Sequence, residues 1–73
     1  MTEYEIIIES VNPCGGEQYA QREVIEAECE SPEAYVREHG RLPIREIIAL
    51  SATETKIITG DEGGYIIRYT FSE

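Results

Sequence analysis

"SPEAYVREHG", Ser31–Gly40, is the stretch on which the fold turns. Its punctuation is helical at both ends. Ser31 is a good N-cap, Pro32 suits the first helical position, and Glu33 complements the positive end of the helix dipole. Gly40 is placed to close the helix as the first residue beyond it. The interval holds only about two turns at 3.6 residues per turn. Ala34, Tyr35 and His39 fall near one side of it.

Everything around this helix reads as strand. Upstream, "YEIIIESV", Tyr4–Val11, is rich in β-branched residues and bounded by Asn-Pro. Tyr4, Ile6 and Ile8 form one face of it, and Glu5, Ile7 and Glu9 the other. "QREVIEAEC", Gln21–Cys29, is a second strand, with Ile25, Ala27 and Cys29 opposed to Val24, Glu26 and Glu28. Between them "NPCGGEQ" is turn chemistry, so the pair is most simply an antiparallel hairpin. Downstream, Leu42 leads into Pro43 and then "IREIIALS", Ile44–Ser51. "ETKIIT", Glu54–Thr59, is a fourth strand or a bent continuation of the third. "GDEGG" is a turn, and "YIIRYTF", Tyr65–Phe71, alternates most cleanly of all. The order is β-β-α-β-β-β, or β-β-α-β-β if the third and fourth runs are one. We expect a single α+β domain over residues 1–73, a mostly antiparallel sheet with one short helix on one face.

A chain of 73 residues buries a modest share of its surface and needs a dense core, a staple or a partner. Eleven isoleucines, five tyrosines and one phenylalanine supply the bulk for a sheet core. The charge is uneven. Of the net −9, residues 1–39 carry ten Glu and two Arg, a net −8. Residues 40–73 carry five acids and four bases, a net −1. So acidic a surface argues against direct binding of nucleic acid or anionic membrane. "MTEYEIII" has no basic region and only a three-residue apolar run, so neither a signal peptide nor a membrane span is expected. The expected compartment is the cytoplasm, where thiols stay reduced.

Chemistry-bearing residues are sparse. Cys14 lies between Pro13 and the Gly15-Gly16 pair, with no Cys-x-x-Cys and no nearby lysine to lower its pKa. A thiol activity would need a base, and His39, the one histidine, is placed at the helix end. Thirteen residues separate Gly16 from Cys29. Along a straight strand that is roughly 40 Å, against the 7 Å or so a disulfide tolerates between Cα atoms. Cys14 therefore reads as a loop residue and Cys29 as a small core residue. His39 complements the helix dipole or packs; the alternative is metal or small-ligand binding with Glu38 and Glu33. "GDEGG" matches neither an EF-hand loop nor a phosphate loop. Arg45 and Arg68 are lone strand cations expected to pair with neighbouring glutamates. No catalytic set, no cofactor and no metal site emerges.

Two surface features point to function. The first is acidic. The outward hairpin face carries Glu3, Glu5 and Glu9 on one strand and Glu26 and Glu28 on the other, followed by Glu30 and Glu33. Any register that keeps the apolar faces together makes some of these glutamates neighbours, which destabilises the hairpin. One reading is a solvated face that keeps a small protein soluble. The other is a docking surface for a basic partner through Glu5, Glu9, Glu26, Glu28, Glu30 and Glu33, such as a nucleic-acid enzyme whose DNA groove it imitates. The second feature is apolar. Ile7, Val24, Ile47, Ile58 and Ile66 point away from the expected core, and one short helix cannot cover both faces. Either the later strands curl into a small barrel, or two copies pack face to face as a homodimer through this stripe. The reading that follows is a small acidic non-enzymatic interaction module.

Overall fold

The computed structural model describes residues 1–11 and 21–73. Its elements are β1 (Thr2–Val11), β2 (Gln21–Cys29), α1 (Pro32–His39), β3 (Ile44–Ala49), β4 (Glu54–Gly60) and β5 (Ile66–Ser72). The third and fourth runs are separate strands. All five form one sheet in the order β2-β1-β5-β4-β3, every neighbouring pair antiparallel. The sheet is open, with β2 and β3 as its edges. The expected α+β class holds. Of its two ways of burying the second apolar face, curling into a barrel is not the one adopted among the described residues.

The helix is built as its caps dictate. Ser31 is extended at φ −159° and its Oγ accepts from the Ala34 N–H at 3.1 Å. Pro32 occupies the first turn, Glu33 bonds Arg37 one turn later at 3.1 Å, and Arg37 and His39 face the negative end. Gly40 corrects the expectation in its mechanism. It is extended at φ −76°, ψ 147°, so left-handed freedom is not what it supplies. Its N–H donates to the Val36 carbonyl at 2.7 Å, and a Cβ there would lie 2.5 Å from that same oxygen. Glycine is needed for space.

The helix lies on one face and carries the chain from edge β2 to the opposite edge β3. The core beneath it holds Ile6, Cys29, Val36, Ile57, Tyr69 and Phe71, with Tyr4, Ile8, Ile25, Ala27, Tyr35, Ile44 and Ile67 packed around them. Phe71 is its hub. Its ring meets Tyr4 and Tyr35 edge-on, each at 5.7 Å, and stacks with Tyr69 at 6.4 Å. Thr59 is also fully buried, and its hydroxyl donates to the Ile67 carbonyl at 2.8 Å, which satisfies that polar group. The helix's inward residue is Val36, not the Ala34–His39 side alone.

β3 departs from plain alternation. Its register against β4 shifts between Ile44 and Glu46, which makes Arg45 the extra residue of a bulge. A one-residue shift turns every later side chain over. Ile47 therefore sits opposite Ile57, on the helix side, and Ile48 takes the outer position opposite Lys56. This corrects the assignment of Ile47 to the outer stripe. Among the described residues Arg45 forms no ion pair with a glutamate; its Nε donates to the Gly60 carbonyl at 3.0 Å. The β4–β5 turn is held by Asp61, whose Oδ1 accepts from Gly63 at 2.9 Å and Tyr65 at 3.0 Å. Gly64, at φ 91°, supplies the left-handed residue that the turn requires.

Candidate functional site

Residues directly opposite in neighbouring strands share a face, so the register lays out the sheet side away from the helix row by row. At one end Glu28 of β2 faces Glu3 of β1. The next row runs Glu26, Glu5, Ser72, Glu54 across four strands. The third is Val24, Ile7, Thr70, Lys56, Ile48 across all five. The fourth is Arg22, Glu9, Arg68, Ile58, Glu46. Last, Val11 and Gly60 flank Ile66.

The face is therefore graded. In the fourth row charges of opposite sign alternate: Glu9 stands between Arg22 and Arg68, with the Arg68 Nη2 3.9 Å from its carboxylate. In the first two rows five glutamates meet with no cation among them. Glu73 joins that end, where with Glu3, Glu5, Glu26 and Ser72 it lines a shallow depression of about 240 Å³. Glu3, Glu5, Glu26 and Glu28 are all exposed. Between the ends lies a mixed row, apolar at Val24, Ile7 and Ile48 with Thr70 and Lys56 between them; Val24 is 56% exposed while Ile7 and Ile48 are half-buried.

Of the six glutamates proposed from sequence, the structure brings Glu5, Glu26 and Glu28 together. Glu9 belongs to the balanced row. Glu30 lies in the turn after β2, and Glu33 lies on the helix, bound to Arg37. Glu3, Glu54 and Glu73 complete the cluster. Glu54 and Glu73 are distant in sequence from the hairpin, and only the β1–β5–β4 pairing reveals them. Of the apolar set, Ile7, Val24, Ile58 and Ile66 occupy the outer face, and Ile48 stands where Ile47 was expected.

The chemical candidates fare differently. Cys14 and its glycines lie outside the described residues. Cys29 is buried opposite Thr2, and burial pushes its thiol above the ordinary value, which makes it a poor nucleophile. His39 stacks on Tyr35 with ring centroids 4.4 Å apart. It lines a depression of about 140 Å³ with Glu28, Glu30, Tyr35 and Glu38. Among the described residues no three His, Cys, Asp or Glu side chains are grouped so as to hold a metal ion. Among them, too, no helix is long and apolar enough to cross a membrane.

Comparison with family models, with curated proteins and with solved structures gave no match.

Proposed function

We propose that this chain is a non-enzymatic interaction module whose uncovered sheet face docks a basic protein partner. The observation that carries the reading is the contrast along that face. One row balances Glu9 with two arginines, whereas Glu3/Glu28 and Glu5/Glu26 stand opposed with no cation in their rows. Like charges directly opposite destabilise a strand pair by a few tenths of a kcal/mol or more. A sequence able to place arginine two rows away on the same face supports a role for acids at this end other than holding the fold. In the adjacent row the Val24–Ile7 pair offers apolar contact beside the charge. The matching surface is one with Lys or Arg flanking apolar side chains. Such complementarity speeds encounter and makes it sensitive to salt.

A photo-crosslinking side chain tests this. Placed at Ser72, in the middle of the acidic row, it should trap one defined protein in cells. Placed at Glu38, on the helix side, it should not. Reversal of Glu5 and Glu26 to lysine should remove the Ser72 adduct. Equal trapping from both positions, or an adduct indifferent to the reversal, contradicts the proposal.

A further inference from the structure

We propose that the chain also self-associates through β3, two copies pairing antiparallel, edge to edge, about a two-fold axis. The two five-stranded sheets then run on as one continuous sheet. This surface is separate from the acidic face and leaves it open in both copies.

The two edges of the sheet are unlike. An exposed edge strand offers unpaired N–H and C=O groups, and soluble proteins guard such edges with charges, bulges or proline. β2 is guarded along its length by Arg22, Glu23, Glu26 and Glu28. β3 is guarded only where it begins, by Pro43, the bulge at Arg45 and Glu46. From Ile47 to Leu50 the sequence is Ile-Ile-Ala-Leu, with no charge. Ile47 is 46% and Leu50 51% exposed. The cation of this edge is drawn inward, since Arg45 bonds the Gly60 carbonyl of β4. Among the described residues β3 has one strand neighbour, β4.

Charge selects the occupant. Of the net −9, residues 1–39 hold −8 and residues 40–73 only −1. Within residues 1–39, β1 and β2 carry Glu3, Glu5, Glu9, Glu23, Glu26 and Glu28 against Arg22, three to four strand spacings from β3, or about 14–19 Å at roughly 4.8 Å per strand. Two copies meeting through β2 or through the outer face would bring glutamate against glutamate. The outer face alone carries Glu3, Glu5, Glu9, Glu26, Glu28, Glu46 and Glu54 against Arg22, Arg68 and Lys56. Pairing through β3 holds the two acidic hairpins roughly 40 Å apart, several screening lengths of about 8 Å. A neutral edge has nothing with which to choose a charged peptide; it fits a second neutral edge.

The sequence supplies a register for this pairing. With Ile47 on the axis opposite its own copy, Ile44 faces Leu50, Arg45 faces Ala49 and Glu46 faces Ile48 of the second chain. No like charges meet, and the exposed apolar side chains of this edge, Ile47 and Leu50, are covered.

Sedimentation equilibrium on the intact protein decides the matter. The wild type should show a concentration-dependent species of twice 8.3 kDa. Ile47→Asp should be monomeric, and Ile7→Asp, on the outer face, should still dimerise. Should Ile47→Asp fail to fold, Leu50→Asp, beyond the end of β3, replaces it and must likewise give a monomer. The β3 amides should also exchange more slowly as protein concentration rises. A wild type that is monomeric at every concentration overturns the proposal. So does a dimer that survives both β3 variants or is lost with Ile7→Asp.

Discussion

Phe71 shows how much rests on single residues in so small a domain. It is fully buried and touches Tyr4, Tyr35 and Tyr69. Truncating such a ring costs about 3–5 kcal/mol. A domain of 73 residues is stable by only about 4–11 kcal/mol in all. Phe71→Ala should therefore leave the protein largely unfolded or close to it, as read by near-UV circular dichroism and urea titration. Gly40→Ala acts by crowding the Val36 carbonyl and should cost about 1–3 kcal/mol. A change within error would mean that the helix end relaxes freely. Burial also sets the pH behaviour. It raises the Cys29 thiol above its ordinary 9.0. It is the main cause for the Tyr35 and Tyr69 phenols too, with Cys29 and Glu23 adding at Tyr35, and with Tyr35 adding and Arg41 opposing at Tyr69. In each case the fold prefers the neutral form. The stability this gives is complete below the unfolded-state values and is lost as pH rises through the raised folded ones. The urea midpoint should be level up to about pH 8 and then fall. Cys29→Ala should remove the earliest part of that fall.

At the scale of the elements, the sequence was most legible where local chemistry fixes geometry. The caps of α1, the hairpin faces Tyr4/Ile6/Ile8 and Ile25/Ala27/Cys29, and the strand ending in Phe71 all follow from residue type and period. The bulge at Arg45 did not, because nothing in "IREIIA" marks which residue will be extra; the β4 partner decides it. That one residue exchanged Ile47 for Ile48 on the outer face. Val36 went unnoticed because a two-turn helix is too short for its inward side to stand out by spacing. The hairpin part of the acidic site was legible, since Glu3, Glu5, Glu26 and Glu28 share its outward face. Glu54 and Glu73 arrive through long-range pairing that no local pattern announces. The β1–β2 register makes its own prediction. Glu5→Lys or Glu26→Lys alone turns a repulsive pair into an attractive one and should stabilise by about 0.2–1 kcal/mol. The double reversal restores repulsion, so the second change should undo the first. Additive effects in the urea midpoints would mean that these residues are not opposed.

For the whole molecule, the governing fact is a graded charge on an open sheet. One end of the outer face is acidic with no cation in its rows, the middle row is mixed, apolar at Val24 and Ile7 with Lys56 beyond them, the far rows are balanced, and the free edge at β3 is neutral. Salt should therefore stabilise the fold. Raising it from roughly 0.01 M to 1 M shortens the screening length from about 30 Å to about 3 Å, and the Glu3/Glu28 and Glu5/Glu26 repulsions fade with it. A midpoint that falls with sodium chloride would show attraction, not repulsion, to dominate. The same grading keeps the two proposed contacts apart, with basic protein at the acidic end and a second copy at β3. The measurement that tests the central claim most directly takes one variant, Glu26→Lys, and reads two quantities on it: the urea midpoint and the yield of the adduct trapped from Ser72. The account predicts a higher midpoint and a lost adduct, stability gained where docking is given up. A higher midpoint with the adduct intact would leave these glutamates as a solvated face and nothing more.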